Sequence, residues 1–146
     1  MIDWEKFNNA FKYYGDDLKF EIIQLFEHGN LEDNDPSYED RITSITEAIR
    51  TKDFAGLKFH AHSIKGVVAN FYDKEPYEIA ALLEKMGAQK TPESIHPDDA
   101  SELEAKLQKM GIENTEEGQL IVLDMLKDSA QKLLQQLREY RKTLKV

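Results

Sequence analysis

With 146 residues, the chain is long enough for one domain that buries a core without covalent staples. It has no cysteine, which excludes disulfides, thiolate chemistry and cysteine-ligated zinc and fits a reducing compartment. A formal net charge of -9, from 28 acidic against 19 basic residues, argues against a nucleic-acid binder and otherwise describes a solvated surface. No apolar run approaches the ~20 residues of a membrane span. The start, Met1-Ile2-Asp3-Trp4-Glu5-Lys6, lacks the basic segment and apolar block of a secretory signal. The expectation is a cytoplasmic protein with no membrane partner.

Apolar residues recur at spacings of three and four along nearly the whole chain, without sustained period-two alternation, so the expected class is all-α. Two N-terminal helices are expected over about residues 3–28. The first carries Trp4, Phe7, Phe11 and Tyr14 and stops at Gly15; Asp16 or Asp17 then caps a second, with Leu18, Ile22, Leu25 and Phe26 inward, ending at His28-Gly29-Asn30. Asp35 as cap and Pro36 at the first helical position open a helix over about 36–51, striped by Tyr38, Ile42, Ile45 and Ile49. Lys52-Asp53 separates it from the next, over about 53–71, where Phe54, Leu57, Ala61, Ile64, Val68 and Phe71 form an unbroken stripe that must face the core.

Pro76 then opens a helix over about 76–88, with Ile79, Leu82, Leu83 and Met86 inward and Gly87 near its end. The polar, proline-bearing stretch from Gly87 to Pro97 is expected to be a mobile connection. A shorter helix with Leu103, Leu107 and Met110 ends at Gly111. Asn114, with Glu117 three residues on, starts the last helix, over about 115–143, which is lined by Leu120, Leu123, Leu126, Ala130, Leu133, Leu137 and Leu144.

Chemistry concentrates in His60-Ala61-His62-Ser63-Ile64-Lys65-Gly66. At ~100° per residue His62 lies roughly 130° from the centre of the apolar stripe and therefore faces water, while Lys65 sits at the stripe's boundary and Gly66 roughly opposite it. Lys58 and Lys65 flank the imidazole and its helical neighbours Ala55, Gly66 and Ala69 are small, so another protein can approach closely. A nucleophilic imidazole, a cation and a residue without a side chain make a phosphate-accepting surface. The other histidines read blandly. His28 is at a helix end, where a cation is favoured. His60 is two residues from His62, too poorly aligned on a helix to share an ion with it, and packs at the stripe's edge. His96 completes Glu93-Ser94-Ile95-His96, the Glu-x-x-His spacing of di-iron bundles, but no second copy exists. No metal site is expected.

The run His62-Ser63-Ile64-Lys65-Gly66 resembles the signature His-x-hydrophobic-Lys-Gly of the histidine-containing phosphotransfer (HPt) domain family, and Leu57, Ala61 and the Leu83-Glu84 pair also look like that family. The resemblance covers roughly residues 16 to 88, with a compatible final helix. It departs where the family often has a small residue after the glycine and a second glycine ten residues after the histidine; this chain has Val67, Val68 and Tyr72. The resemblance implies a single domain. Its fold would be an antiparallel four-helix bundle of HPt type, with additional N-terminal helices and an extra short helix before the long C-terminal one.

It further implies His62 as phosphoacceptor, Lys65 as the cation that holds the phosphoryl oxygens, and Glu84, 22 residues on, as the acceptor that orients the imidazole. Partners would be response-regulator receiver domains and a hybrid histidine kinase, docking on Gly66, Lys58, Ala55 and Ala69. The chain has no glycine-rich phosphate loop, nucleotide motif or kinase-like α/β region. It is thus expected to carry phosphate without being a kinase, with no cofactor of its own and magnesium supplied by the partner. The alternative is a helical docking or structural protein that binds receiver or kinase domains without being phosphorylated.

Overall fold

The computed structural model describes residues 1–91 and 96–146. Seven α-helices appear among them: α1 Trp4–Ala10, α2 Asp16–His28, α3 Tyr38–Arg50, α4 Phe54–Val68, α5 Lys74–Gln89, α6 Pro97–Met110 and α7 Glu116–Arg141. A 3-10 turn, Ala69–Phe71, extends α4. Helices α3, α4, α5 and α7 each pack on two of the others and close a four-helix bundle. The three residues Thr51 to Asp53 link α3 to α4, and Asn114, just before α7, donates to Met86 O at the far end of α5 (3.0 Å), so the bundle runs up, down, up, down. Among the described residues no helix is long and apolar enough to cross a membrane.

The expected stripes become the core. Tyr38, Ile42, Ile45 and Ile49 of α3 and Leu57, Ala61, Ile64 and Val68 of α4 are buried, as are Leu82, Leu83 and Met86 of α5 and Leu123, Leu126, Ala130, Leu133 and Leu137 of α7. The N-terminal helices plug the end of the bundle where α4 finishes and α5 begins. Phe7 and Phe26 pack on Phe71, with ring centroids 6.4 and 5.4 Å apart, and Trp4 stacks on Tyr140 at 4.5 Å. Glu27, buried at the end of α2, accepts from Arg138 (2.6 Å) and Arg141 (3.0 Å) and so ties α2 to the last turn of α7.

Several helix starts differ from expectation, each for a local reason. The cap of α2 is Gly15, and Asp16 and Asp17 occupy the first turn, where carboxylates suit the helix dipole. On this helix Ile23, not Ile22, is fully buried beside Phe26. Ser37 caps α3 through Asp40 N (3.2 Å), leaving Asp35 and Pro36 outside the helix. Helix α5 starts two residues before Pro76, which a first turn tolerates because its N–H groups have no intrahelical partner. Thr115 caps α7 through Gly118 N (3.2 Å), and Asn114 is spent on the end of α5. Tyr14 is exposed, since α1 already ends at Ala10. Asp53 does cap α4, through Gly56 N at 2.9 Å.

Gly87 lies near the end of α5, as expected, but two residues inside it and not as its cap. A Cβ there would lie 2.8 Å from Lys58 N and 2.9 Å from Phe54 O, so the missing side chain lets α5 press onto the backbone of α4. The expected connection from Gly87 to Pro97 is therefore helical as far as Gln89, and its residues 92–95 lie outside the described residues.

Candidate functional site

Helix α4 and the turn that extends it present to solvent a line of residues at offsets of four, three, four and three: Ala55, Phe59, His62, Gly66 and Ala69, all exposed. His62 stands at mid-helix, 68 % exposed, opposite the buried stripe that anchors the helix. The geometry supplies a reason for its orientation. Its Nδ1 is 2.9 Å from Glu84 Oε1, while the other oxygen of that carboxylate accepts from Lys65 Nζ at 2.6 Å. Glu84 lies on α5 and is only 17 % exposed. Leu83 beside it is fully buried, which fixes the register that aims Glu84 across the groove at α4.

Burial works to raise the pKa of Glu84, but hydrogen bonds from Lys65 and then His62, with their charges, outweigh it and hold the carboxyl below its ordinary value. Glu84 is thus an anion at neutral pH and can only accept. A neutral imidazole facing it carries its proton on Nδ1, which leaves the Nε2 lone pair pointing outward. Lys65 is bound to the carboxylate, with its ammonium 5.9 Å from the centre of the Tyr77 ring.

The sequence-predicted residues thus converge. His62, Lys65 and Glu84 form one hydrogen-bonded unit, and Ala55, Gly66 and Ala69 share the exposed line of His62. Lys58 is half-buried one turn before His62, on the flank facing α5. A Cβ on Gly66 would meet nothing within 4 Å, so its absence clears the approach from outside and serves no internal contact.

The other histidines are accounted for locally. His28 Nε2 lies 2.8 Å from Glu27, His96 caps α6 by accepting from Asp98 N (3.2 Å), and His60 is half-buried with its ring against that of Phe59. Glu93, of the Glu-x-x-His spacing, lies outside the described residues, and among these no group of three or more potential metal ligands comes together. Tyr72, where the resemblance leads one to expect glycine, takes φ 54°, a left-handed conformation that costs a side chain about 1–2 kcal/mol.

Sequence reasoning missed Phe59 and the support beneath Ser63. Arg41, buried on α3, donates to Ser63 Oγ and to Asp35 Oδ1 (2.6 Å), pinning the flank of α4 that faces α3. Phe59 could have been found from its offset of three before His62, since the apolar stripe already leaves it on the solvent side.

An exposed histidine held by a carboxylate on the outside of a four-helix bundle is accessible to another protein. The Hpt domain family model matches residues 36–113, more than half of the chain, and the chain belongs to that family. The match takes in α3 to α6, starting later and ending later than the resemblance read from the motif; α7, which closes the bundle, follows it. No curated protein and no solved structure matches the chain. Hpt domains perform histidine phosphotransfer in two-component phosphorelays and interact there with receiver domains and kinases.

Proposed function

We propose that this protein is an intermediate of a multistep phosphorelay, taking a phosphoryl group from an aspartyl phosphate on one receiver domain and passing it from His62 to an aspartate on another. The observation that carries the reading is the Nδ1 contact of His62 with the Glu84 carboxylate, which leaves Nε2 as the nucleophile. Attack of Nε2 on phosphorus forms the N–P bond as the P–O bond to the aspartate breaks, and the aspartate leaves as carboxylate. The proton on Nδ1 stays in place. The positive charge that develops on the ring is then met by Glu84. Lys65, already oriented by Glu84, lies one turn from His62 and is the cation for the phosphoryl oxygens. The return transfer uses the same atoms in reverse.

The receiver brings its own aspartate and magnesium, so this chain supplies a positioned nucleophile and a surface, and has no kinase activity of its own. It works in the cytoplasm, between a hybrid histidine kinase and response regulators. The small residues Ala55, Gly66 and Ala69 admit the receiver, and Lys58 and Lys65 attract its acidic site. Mixing the protein with a phosphorylated receiver tests the reading. An acid-labile, base-stable phosphate should appear on the wild type and be absent from His62→Gln. Equal labelling of both, or none on the wild type, rejects phosphotransfer in favour of a helical docking or structural protein.

A further inference from the structure

The two flanks of His62 differ. Helix geometry puts Lys58 and Lys65 on the side facing α5 and Phe59 on the side facing α3. Phe59 is 68 % exposed, one turn before His62, and is the only large apolar residue on the exposed line of α4. It does not border solvent alone. A shallow hollow between α4 and the turn linking α2 to α3 has Phe59 on one rim and Leu31, 95 % exposed, on the other. Its base is polar and already satisfied, with Arg41 bonded to both Asp35 and Ser63.

Resting on the phosphorelay reading, we infer that Phe59, with Leu31 across the hollow, is the aromatic anchor that seats the partner receiver domain: an apolar side chain of that domain packs on Phe59 above the hollow while its active-site aspartate meets His62. The occupant follows from reach. Phe59 is about 4.5 Å from His62 along the helix axis. A partner face of ordinary size, about 800 Å² and hence about 16 Å in radius, centred on Nε2 must cover it. Binding energy concentrates on aromatic residues near the centre of such a face. Phe59 meets this description, whereas Ala55, Gly66 and Ala69 offer too little surface to hold a partner that they merely admit. The lysines on the opposite flank complete an asymmetric footprint that fixes which way round the receiver docks, as transfer in line with the breaking P–O bond requires.

The experiment uses the full chain and, as probe, the receiver domain that exchanges phosphate fastest with the wild type. Phe59→Ala should raise the receiver concentration needed for half-maximal transfer by about 10- to 30-fold. The rate at saturation should stay within about twofold, because the anchor touches neither His62 nor phosphorus. Phe59→Leu should recover most of the loss. Alanine is the better helix former at an exposed site, so the melting temperature should not fall. Labelling of His62 by phosphoramidate, which needs no docking, should be unchanged.

Unaltered receiver dependence in Phe59→Ala overturns the anchor and leaves the relay intact. Reduced phosphoramidate labelling also overturns it, by showing that Phe59 shapes the imidazole and not the interface. A wild type that dimerises while Phe59→Ala is monomeric in light scattering assigns the hollow to a second copy and overturns it too. Failure of the wild type to exchange phosphate with any receiver removes the relay reading and the anchor together.

Discussion

Two helical glycines isolate what a single missing side chain can do. Gly66 lies on the exposed line of α4, where a Cβ would meet nothing within 4 Å, so the fold gains nothing from glycine there. Gly66→Ala should raise stability by about 1 kcal/mol through helix propensity alone. Gly66→Gln should melt no lower than the wild type, yet its longer side chain would stand beside the imidazole and slow transfer from a receiver at least about tenfold by blocking approach. Thermal melts and transfer rates on both variants decide the point; a glutamine variant that transfers normally removes Gly66 from the docking surface. The motif already pointed to this residue, because mid-helix glycine is a cost that needs a reason. Phe59 escaped notice for the opposite cause: an aromatic is assumed to be core, and only its angular place relative to the stripe shows that it is not.

At the scale of elements, the apolar stripes of α3, α4, α5 and α7 read from spacing reappear in the bundle, because burial of one face decides where an amphipathic helix lies, whereas Tyr14 is exposed, Ile23 takes the place of Ile22, and Leu144 lies beyond the end of α7. The helix starts were less legible. Asp35-Pro36, Asp16-Asp17 and Asn114 all have suitable chemistry for a cap, but Ser37, Gly15 and Thr115 take the position. A cap is chosen by where the first turn can pack, and neighbouring polar residues are nearly equivalent in local preference. Gly87 does lie near the end of α5, but the contact it permits was not legible. Glycine is the usual helix terminator, yet here it permits two helices to touch, a long-range demand invisible in local sequence. Gly87→Ala would set a methyl group 2.8 Å from Lys58 N, against backbone that cannot rotate away. It should cost about 1–3 kcal/mol in chemical denaturation, the opposite sign to Gly66→Ala. An unchanged midpoint would mean that α4 and α5 separate freely.

Over the whole molecule, the N-terminal helices and all of α7 lie outside the span matched by the family, yet the N-terminal helices and the end of α7 close the base of the bundle. Their charged link is Glu27, buried on α2 and bonded to Arg138, Arg141 and the neighbouring His28, with Tyr38 of α3 close by. The spacing of α2 pointed to Phe26 but not to this carboxylate, since nothing local marks a charge whose arginine partners lie more than a hundred residues away. Burial works to raise the pKa of Glu27, but the bonds and charges of Arg138 and Arg141 outweigh it and hold the carboxyl below its ordinary value. The folded state therefore binds the proton less readily than the unfolded chain. The stabilisation is present in full above the ordinary glutamate value near ~4.3 and is lost as pH falls through the lowered folded value. Both arginines are partly open to solvent, which keeps the contribution modest. Glu27→Gln should cost about 1 kcal/mol at pH 7. The gap in melting temperature between variant and wild type should narrow steadily once the pH drops below about 4. Parallel melting curves from pH 7 to pH 3 would show that the α2–α7 clamp holds by packing and not by charge.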